Sequence, residues 1–225
     1  MVHLNKQKPN LLFFWFLLPF LFYTGYAVGK LEGEEISINK NMIVCSASGA
    51  AIDFEPIEMS SRAILHMGLA GEAAGSAAVD ILFGRANPSG KLTETFPVCI
   101  ENTPCYPDFP GYCDEITYSE GLLQGYRYYD TKRIPVRYPF GHGLSYTCFS
   151  YSNLRVSSDC LRNGETLDVM LDVTNTGSAA GSEIVQIYVS DPESYMPRPT
   201  KELKGFSRVW LEPGETKTAA VQLPG

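Results

Sequence analysis

Apolar and polar residues alternate along one stretch in the second half of the chain, at residues 166–174. Its side chains divide into an apolar set on one face, Leu167, Val169, Leu171 and Val173, and a second set on the other, Asp168, Met170 and Asp172. Alternation with a period of two is typical of a half-buried antiparallel strand. Three further apolar runs, at residues 183–190, 204–211 and 216–223, are separated by turn residues. The sequence therefore predicts an all-β sandwich from about residue 151 onward.

The first half of the chain shows a different pattern. Short apolar runs at residues 42–48 and 62–67 predict buried strands, and residues 71–83 predict a helix that ends at Gly84. A strand, a loop, a second strand and a helix in this order are typical of an α/β layer. We therefore predict an α+β protein in which a partial α/β sandwich segment, residues 30–97, precedes the β-sandwich.

Residues 1–29 are set apart by their composition. Two lysines precede an apolar run at residues 11–22, and small residues follow it. This order is typical of a secretory signal peptide that is cleaved after Ala27 or Gly29. The alternative is a membrane anchor, because residues 11–28 reach the lower limit of a membrane-spanning length. We expect a secreted protein, with a membrane-anchored one as the alternative and a misjudged gene start as a third explanation.

Composition narrows the class of partner. The chain has 225 residues, of which 44% are hydrophobic and 19% charged, which is ordinary for one or two globular domains. The formal net charge is -7 and no block of lysine and arginine occurs, so a nucleic-acid partner is not expected. Neutral partners such as sugars fit this charge better than phosphates do.

The cysteines and histidines do not form a recognisable metal motif. Six cysteines are present, at positions 45, 99, 105, 113, 148 and 160, and an exported chain could pair them. No Cys-x-x-Cys occurs, and the three histidines, His3, His66 and His142, are far apart in the sequence. We therefore expect no metal site and no cofactor, and the cysteines are either free or partly paired.

An aromatic connector, predicted at residues 98–150, joins the two halves. It holds several tyrosines and phenylalanines, and glycines at 141 and 143 permit backbone angles that other residues rarely adopt. Tyrosine rings provide large buried areas, so packing explains Tyr126, Tyr128 and Tyr129 well. The same rings could instead stack on pyranose rings, which makes these three tyrosines candidate substrate-binding residues.

Several motifs carry a family resemblance. The runs GYRYYD and PFGHGLSYT in the connector, GLAGEAAGSAAVDILFGRANPSGKL before it and NTGSAAGSEIVQIYVSD after it resemble the C-terminal part of beta-glucosidases of glycoside hydrolase family 3. The resemblance implies that residues 30–97 close an α/β sandwich domain. It also implies that residues 151–225 form a fibronectin type III-like (immunoglobulin-like) domain, truncated at its C-terminus. It places His142 in a structural turn.

The resemblance also implies a chemistry. Family 3 enzymes hydrolyse terminal β-linked sugars with retention, using one carboxylate as nucleophile and another as acid/base. The family nucleophile is an aspartate of an N-terminal barrel in a Ser-Asp-Trp or similar motif, and this sequence has no Ser-Asp-Trp. Asp53, Asp80 and Asp130 match noncatalytic segments. Glu32 is the candidate acid/base, but a solvated charge cluster explains Glu32 and its acidic neighbours at 34 and 35 better.

Three hypotheses follow for function. The first is a remnant or fragment of a secreted beta-glucosidase that is inactive alone, so that enzymatic activity is uncertain. The second is a noncatalytic module that binds carbohydrate, and the third is an accessory subunit that docks to a separate barrel. If the sandwich lacks its last strands, Val185, Ile187 and Val189 should be poorly covered and the chain should self-associate through an open edge.

Overall fold

The computed structural model describes residues 2–4, 22–24, 41–59, 61–112 and 115–224. The chain divides into two compact units, residues 1–88 and residues 89–225. Most of the predicted leader lies outside the described residues. Glu32 and its acidic neighbours also lie outside them.

A four-stranded sheet forms the first unit. Its strands, in chain order, are β1 (Val2–Leu4), β2 (Phe22–Thr24), β3 (Met42–Ala47) and β4 (Ser61–His66). The strand order is β1-β4-β3-β2, with β3 parallel to both β4 and β2, and with β1 antiparallel to β4. The predicted strands at 42–48 and 62–67 are confirmed to within a residue at each end.

Two helices accompany this sheet. Helix α1 (Glu55–Glu58) is a single turn that the sequence did not predict, and it follows the fully buried Phe54. Helix α2 (Ala74–Leu82) was predicted from residue 71 but begins three residues later. The reason is Gly71, whose φ of 71° lies outside the helical region. The core of the unit consists of Cys45, Ala63, Leu65 and Ala78, against which Ile43, Met67, Ile81 and Leu82 pack.

The second unit contains the β-sandwich. One sheet has the order β11-β8-β7, formed by β7 (Phe149–Val156), β8 (Thr166–Asn175) and β11 (Thr216–Pro224). The other pairs β9 (Gly181–Val189) with β10 (Glu202–Leu211). All these pairings are antiparallel, and the predicted strands are confirmed to within two residues at each end.

The sandwich core is aliphatic and continuous from one sheet to the other. It is built by Val169, Leu171 and Val173 of β8, Val185 of β9, Val209 and Leu211 of β10, and Ala219, Val221 and Leu223 of β11. The expectation of poor coverage was wrong for Val185, which is 1% exposed, and for Ile187, which packs against the core. Only Val189, at the end of β9, matches it, with 42% exposure.

The predicted connector lies in the same compact unit as the sandwich and has secondary structure of its own. Its strand β6 (Val136–Tyr138) pairs antiparallel with β5 (Phe96–Pro97), which directly precedes the predicted connector. A 3-10 turn (Ile100–Asn102) follows β5, and helix α3 (Tyr126–Lys132) precedes β6. Among the helices of the described residues, none combines the length and apolar character needed to cross a membrane.

The Gly-His-Gly turn needs its two glycines for different reasons. Gly141 has a φ of 78°, which favours glycine, as the sequence predicted. Gly143 does not have a positive φ. Instead a β-carbon at Gly143 would clash with the carbonyl oxygen of Gly90, so only glycine allows the two backbones to approach this closely. The prediction of special backbone angles was therefore right for Gly141 and wrong for Gly143.

Candidate functional site

The three candidate tyrosines lie on helix α3. The helix is preceded by Gly125, with a φ of 53°, and ends at Arg133, which adopts the left-handed conformation with a φ of 55°. Both positions force the chain out of the helical region, so the helix is limited to about two turns. The short helix turns Tyr126, Tyr128 and Tyr129 in different directions, and their surroundings differ accordingly.

Tyr126 is held by aromatic and polar contacts together. Its ring stacks on Phe140 with the centroids 4.5 Å apart and meets Tyr188 edge to face at 6.0 Å. The backbone N–H of Leu203 donates a hydrogen bond of 2.8 Å to the Tyr126 hydroxyl oxygen. One face of the ring is thus covered by Phe140, and the hydroxyl is engaged by the backbone.

Tyr129 is the buried member of the set, and Tyr128 lies beside it. Their rings meet edge to face at 5.5 Å, and Tyr129 is 5% exposed. Burial, followed by the neighbouring Tyr128, Cys105 and Cys99, raises the pKa of Tyr129 to about 12. A neutral, buried phenol of this kind is typical of a packed interior.

Helix α3 is joined to the start of β10 by four contacts that run antiparallel. Tyr126 meets Leu203, Arg127 pairs with Glu202 at 3.0 Å, Asp130 pairs with Lys201 at 3.2 Å, and Thr131 accepts a 3.0 Å hydrogen bond from the Thr200 backbone N–H. We call these four pairs the α3–β10 junction. The charges of the two ion pairs are reversed, so a shift in register would bring like charges together.

A small cavity lies beside the junction. Its wall is formed by residues of α3, β6, the segment that follows β6, β9, the approach to β10 and one residue before β5; they are Thr95, Tyr126, Tyr129, Asp130, Val136, Pro139, Phe140, Tyr188 and Lys201. Its volume is about 30 Å³, whereas pockets that bind small organic ligands usually measure about 300–1,000 Å³. The cavity is too small for a hexose, so packing explains the surroundings of Tyr126 and Tyr129, which line it. The role of the three tyrosines as substrate contacts stays a prediction.

A buried charge network lies elsewhere in the second unit and was not foreseen from the sequence. Lys91 Nζ lies 3.1 Å from both carboxylate oxygens of Glu183 and also donates to the carbonyl oxygen of Gly143. The Tyr151 hydroxyl donates a 2.6 Å hydrogen bond to the same carboxylate. Lys91 and Glu183 are 92 positions apart, so no local pattern could have linked them.

Both charges of this network are largely withdrawn from water. The Lys91 side chain is 15% exposed and that of Glu183 is 11% exposed. Burial, followed by the Glu183 carboxylate, raises the pKa of Tyr151. Because every charged atom has a partner of opposite charge or a hydrogen bond, the network fixes the loop before β5, the Gly-His-Gly turn and the sandwich in one arrangement.

Other carboxylates that the sequence singled out have structural contacts. Asp53 Oδ1 accepts a 2.9 Å hydrogen bond from the Glu55 backbone N–H at the start of α1, and Asp80 forms an exposed ion pair with Arg85. Three carboxyl groups have a pKa that hydrogen bonds lower from the ordinary value; they are those of Glu101, Asp172 and Glu215. A glycosidase acid needs a raised pKa so that it holds its proton near neutral pH. None of these three groups has that property.

Histidine and cysteine side chains occupy separate places. The His142 ring stacks on Tyr138 at 5.5 Å, and its backbone carbonyl accepts a hydrogen bond from Leu92. The described cysteines are free thiols, with Cys45 buried and Cys99, Cys105, Cys148 and Cys160 exposed, while Cys113 lies outside the described residues. Within the part of the chain that the structure describes, no three His, Cys, Asp or Glu side chains gather as a metal site would require.

Two known protein families match this chain. A model of the glycosyl hydrolase family 3 C-terminal domain matches residues 31–146. The chain belongs to glycosyl hydrolase family 3. A model of the fibronectin type III-like domain matches residues 183–225. The family 3 resemblance and the predicted fold class, an α/β segment followed by a fibronectin type III-like sandwich, are thereby confirmed.

Curated family 3 relatives are beta-glucosidases. The thermostable beta-glucosidase B of Acetivibrio thermocellus is 47% identical over 186 residues, which cover 83% of this chain and 24% of that protein. The probable beta-glucosidase I of Aspergillus niger is 40% identical over 185 residues, or 80% of this chain and 22% of that protein. The chain thus spans about a quarter of the length of the curated relatives it matches.

Solved structures show the same partial correspondence. Beta-glucosidase 3B from Thermotoga neapolitana, in complex with glycerol, matches with a TM-score of 0.79 and 36% identity over 88% of this chain and 29% of that one. DesR, a beta-glucosidase from Streptomyces venezuelae in complex with D-glucose, matches with a TM-score of 0.78 and 35% identity. That match covers 86% of this chain and 25% of DesR.

Proposed function

We propose that this chain serves as a noncatalytic C-terminal part of a beta-glucosidase-type enzyme and does not hydrolyse glycosides by itself. Two carboxylates are needed for a retaining mechanism. Two observations support the proposal. The sequence has no Ser-Asp-Trp. The carboxylates of Asp53, Asp130 and Glu183 take part in hydrogen bonds and ion pairs that hold the fold together. The relatives named above as beta-glucosidases support the reaction class to which the chain contributes.

The test is an assay of the purified chain with an aryl β-glucoside and an aryl β-xyloside. We expect no turnover above a buffer control, because one acid without a nucleophile cannot carry out a two-step displacement. Glu32→Gln is the decisive variant, with Glu35→Gln as its matched control. Hydrolysis by the unaltered chain that is lost in Glu32→Gln and kept in Glu35→Gln would overturn the proposal.

We further propose that the chain docks to a barrel domain through the loop between β5 and α3. Large apolar side chains in this loop lie on the surface, each at least 46% exposed; they are Ile100, Tyr106, Phe109, Tyr112, Ile116, Tyr118 and Leu122. A surface with this many exposed apolar groups is typical of an interaction site. The portion of family 3 relatives that this chain does not match, about three-quarters of their length, is the occupant that fits.

Docking can be measured by mixing the chain with the separately expressed N-terminal three-quarters of the Acetivibrio thermocellus relative. We expect a complex on size-exclusion chromatography that Ile100→Ser with Tyr112→Ser abolishes. Tyr195→Ser is the control, because Tyr195 is fully exposed but lies outside the loop. If both variants bind equally, the loop is not the docking surface. This result leaves the first proposal intact, since the absence of turnover by the chain alone is measured independently.

We also propose that residues 1–29 direct export and are removed, so that the mature protein retains β3 and β4 of the first sheet but not β1 and β2. The support is the order of positive, apolar and small residues, which is that of a signal peptide. Mass spectrometry of secreted material should give an N-terminus at Val28 or Lys30. Recovery of the intact leader in a membrane fraction that resists carbonate extraction would replace export with anchoring.

A further inference from the structure

The cavity beside the α3–β10 junction has room for a small molecule such as water but not for a sugar. A volume of about 30 Å³ is sufficient for a water molecule, which needs roughly 10–15 Å³ of accessible space. Most of its wall is aromatic or aliphatic, but Thr95, Asp130 and Lys201 also line it. A roomy cavity with polar groups in its wall binds water, whereas a purely apolar cavity of similar size stays dry.

Thr95 supplies the second observation. This residue is 7% exposed, and its Oγ1 atom has no hydrogen-bond partner among the described residues. A buried hydroxyl without a partner is unfavourable, because the hydroxyl loses its hydrogen bonds to solvent on folding and gains nothing in return. Such an atom in the wall of a water-sized cavity indicates that a small polar ligand completes its hydrogen bonding.

Other groups at the cavity can complete the coordination of a water molecule. Asp130 pairs with Lys201 through one carboxylate oxygen, Oδ2, which leaves its other oxygen as an acceptor. The Tyr188 hydroxyl donates to Gln186 at 2.6 Å, so its oxygen can still accept a hydrogen bond. Buried waters typically make about three hydrogen bonds, and the cavity wall contains that number of polar residues.

We propose that the cavity holds an ordered water molecule that is hydrogen-bonded to Thr95 Oγ1 and to the Asp130 side of the α3–β10 junction. The water bridges the segment before β5 to helix α3, which both line the cavity. The bridge is independent of glycoside chemistry, so it stands whether or not the chain takes part in hydrolysis.

The test is whether Thr95→Val lowers or raises the Tm of the chain. Valine has the shape of threonine without the hydroxyl. If the hydroxyl is bound to water, Thr95→Val leaves that water underpartnered and should lower the Tm by about 2–4 °C. If the hydroxyl is a dry orphan, its removal should leave the Tm unchanged or raise it. Thr95→Ser keeps the hydroxyl and should retain the water.

A matched control is available at Thr147. Its hydroxyl donates a 2.6 Å hydrogen bond to Asn175 in a buried site, so Thr147→Val must lower the Tm if the assay is sensitive enough. A high-resolution crystal structure of the unaltered chain decides the occupant. Density for a water within hydrogen-bond distance of Thr95 Oγ1 supports the proposal. A dry cavity, or a metal ion at coordination distances, overturns it whatever the Tm values are.

Discussion

The sandwich core and the α3–β10 junction are two packed regions of one unit that are held together by different forces. The core is aliphatic and includes fully buried side chains such as Val173 and Leu211. The junction is aromatic and charged, and its ion pairs, Arg127–Glu202 and Asp130–Lys201, remain partly exposed. Burial of apolar surface is strong but nondirectional, whereas hydrogen bonds and ion pairs are weak and directional. The sandwich core therefore stabilises the fold, and the junction fixes the orientation of α3 against the start of β10.

The largest effect is expected in the core. Leu211→Ala should lower the free energy of unfolding by about 2–5 kcal/mol, because it removes a buried side chain and leaves a cavity. Leu154→Ala, on the 71% exposed Leu154 of β7, is the matched control and should change it by less than about 0.5 kcal/mol. Urea denaturation followed by circular dichroism measures both. Equal effects would mean that the sandwich core does not carry the stability.

A somewhat smaller loss should follow when the buried charge network is broken. Lys91→Met leaves the Glu183 carboxylate without its cation, and we expect a cost of about 3 kcal/mol, at the low end for buried pairs because both side chains keep some contact with water. Lys204→Met removes a surface partner of Glu202 and should cost about 0–1 kcal/mol. The double variant of Lys91→Met with Glu183→Gln should recover part of the loss in the same denaturation assay. No recovery would contradict a specific pairing.

At the junction a single hydrogen bond should matter modestly. Tyr126→Phe keeps the ring stacking on Phe140 but removes the acceptor for the Leu203 N–H, at a cost of about 1 kcal/mol. Tyr128→Phe is the control, since its hydroxyl makes no side-chain hydrogen bond recorded in the described part of the chain. Thermal unfolding should show a lower Tm for Tyr126→Phe only. Hydrogen exchange at Leu203 should also accelerate, which a purely global destabilisation would not produce selectively.

At low pH the sandwich surface should lose the contribution to stability that one carboxylate makes. Hydrogen bonds from Asn153, Thr218 and Arg155 lower the pKa of Asp172 to about 2, from an ordinary value near 3.9. The stabilisation is therefore present above about pH 4 and is lost as the pH falls through about 2. Asp172→Asn should have a lower Tm than the unaltered chain at pH 7, and the difference should disappear near pH 2. A constant difference across this range would mean that the charge of Asp172 is irrelevant.

At high pH the buried tyrosine of helix α3 should give the smallest effect of the series. The raised pKa of Tyr129, about 12 against about 10 in an unfolded chain, gives a contribution that is present below pH 10 and is lost as the pH rises through 12. Tyr129→Phe should therefore lose less stability than the unaltered chain between these values. Absorbance titration at the phenolate band provides the check, because the unaltered chain should show a larger absorbance change near pH 12 than Tyr129→Phe does.

The two regions also differ in how far the sequence predicts them. The strands of the sandwich follow from the alternation seen in residues 166–174, because one face of each strand is buried along its whole length. Helix α3 was not predicted, since Tyr126–Lys132 has neither an apolar stripe nor a capping residue and depends on contacts with residues 200–203. Tertiary contacts of this kind leave no local periodicity in the sequence.

The candidate site also contains features that the sequence predicts and features that it does not. The motif GYRYYD contains the three candidate tyrosines, but the pattern cannot distinguish packing from sugar contact, because an aromatic ring serves either purpose. The Lys91–Glu183 pair was missed because its partners belong to distant segments and each looks like an ordinary surface charge. The glycine at 143 was noticed, but its need for space arises from the backbone at Gly90, which only the folded chain brings near.

The antiparallel pairing of α3 with residues 200–203 bears on how family 3 proteins can be recombined. A chimera joined at residue 150 would combine the helix of one parent with the strand approach of another. Each contact of the junction would then join a residue of one parent to a residue of the other. The partners of Arg127 and Asp130 could carry the wrong charge in such a chimera. Joining at Ser89, where the second compact unit begins, transfers both sides of each pair from the same parent. The helix and the sandwich are thus inherited as one exchangeable module.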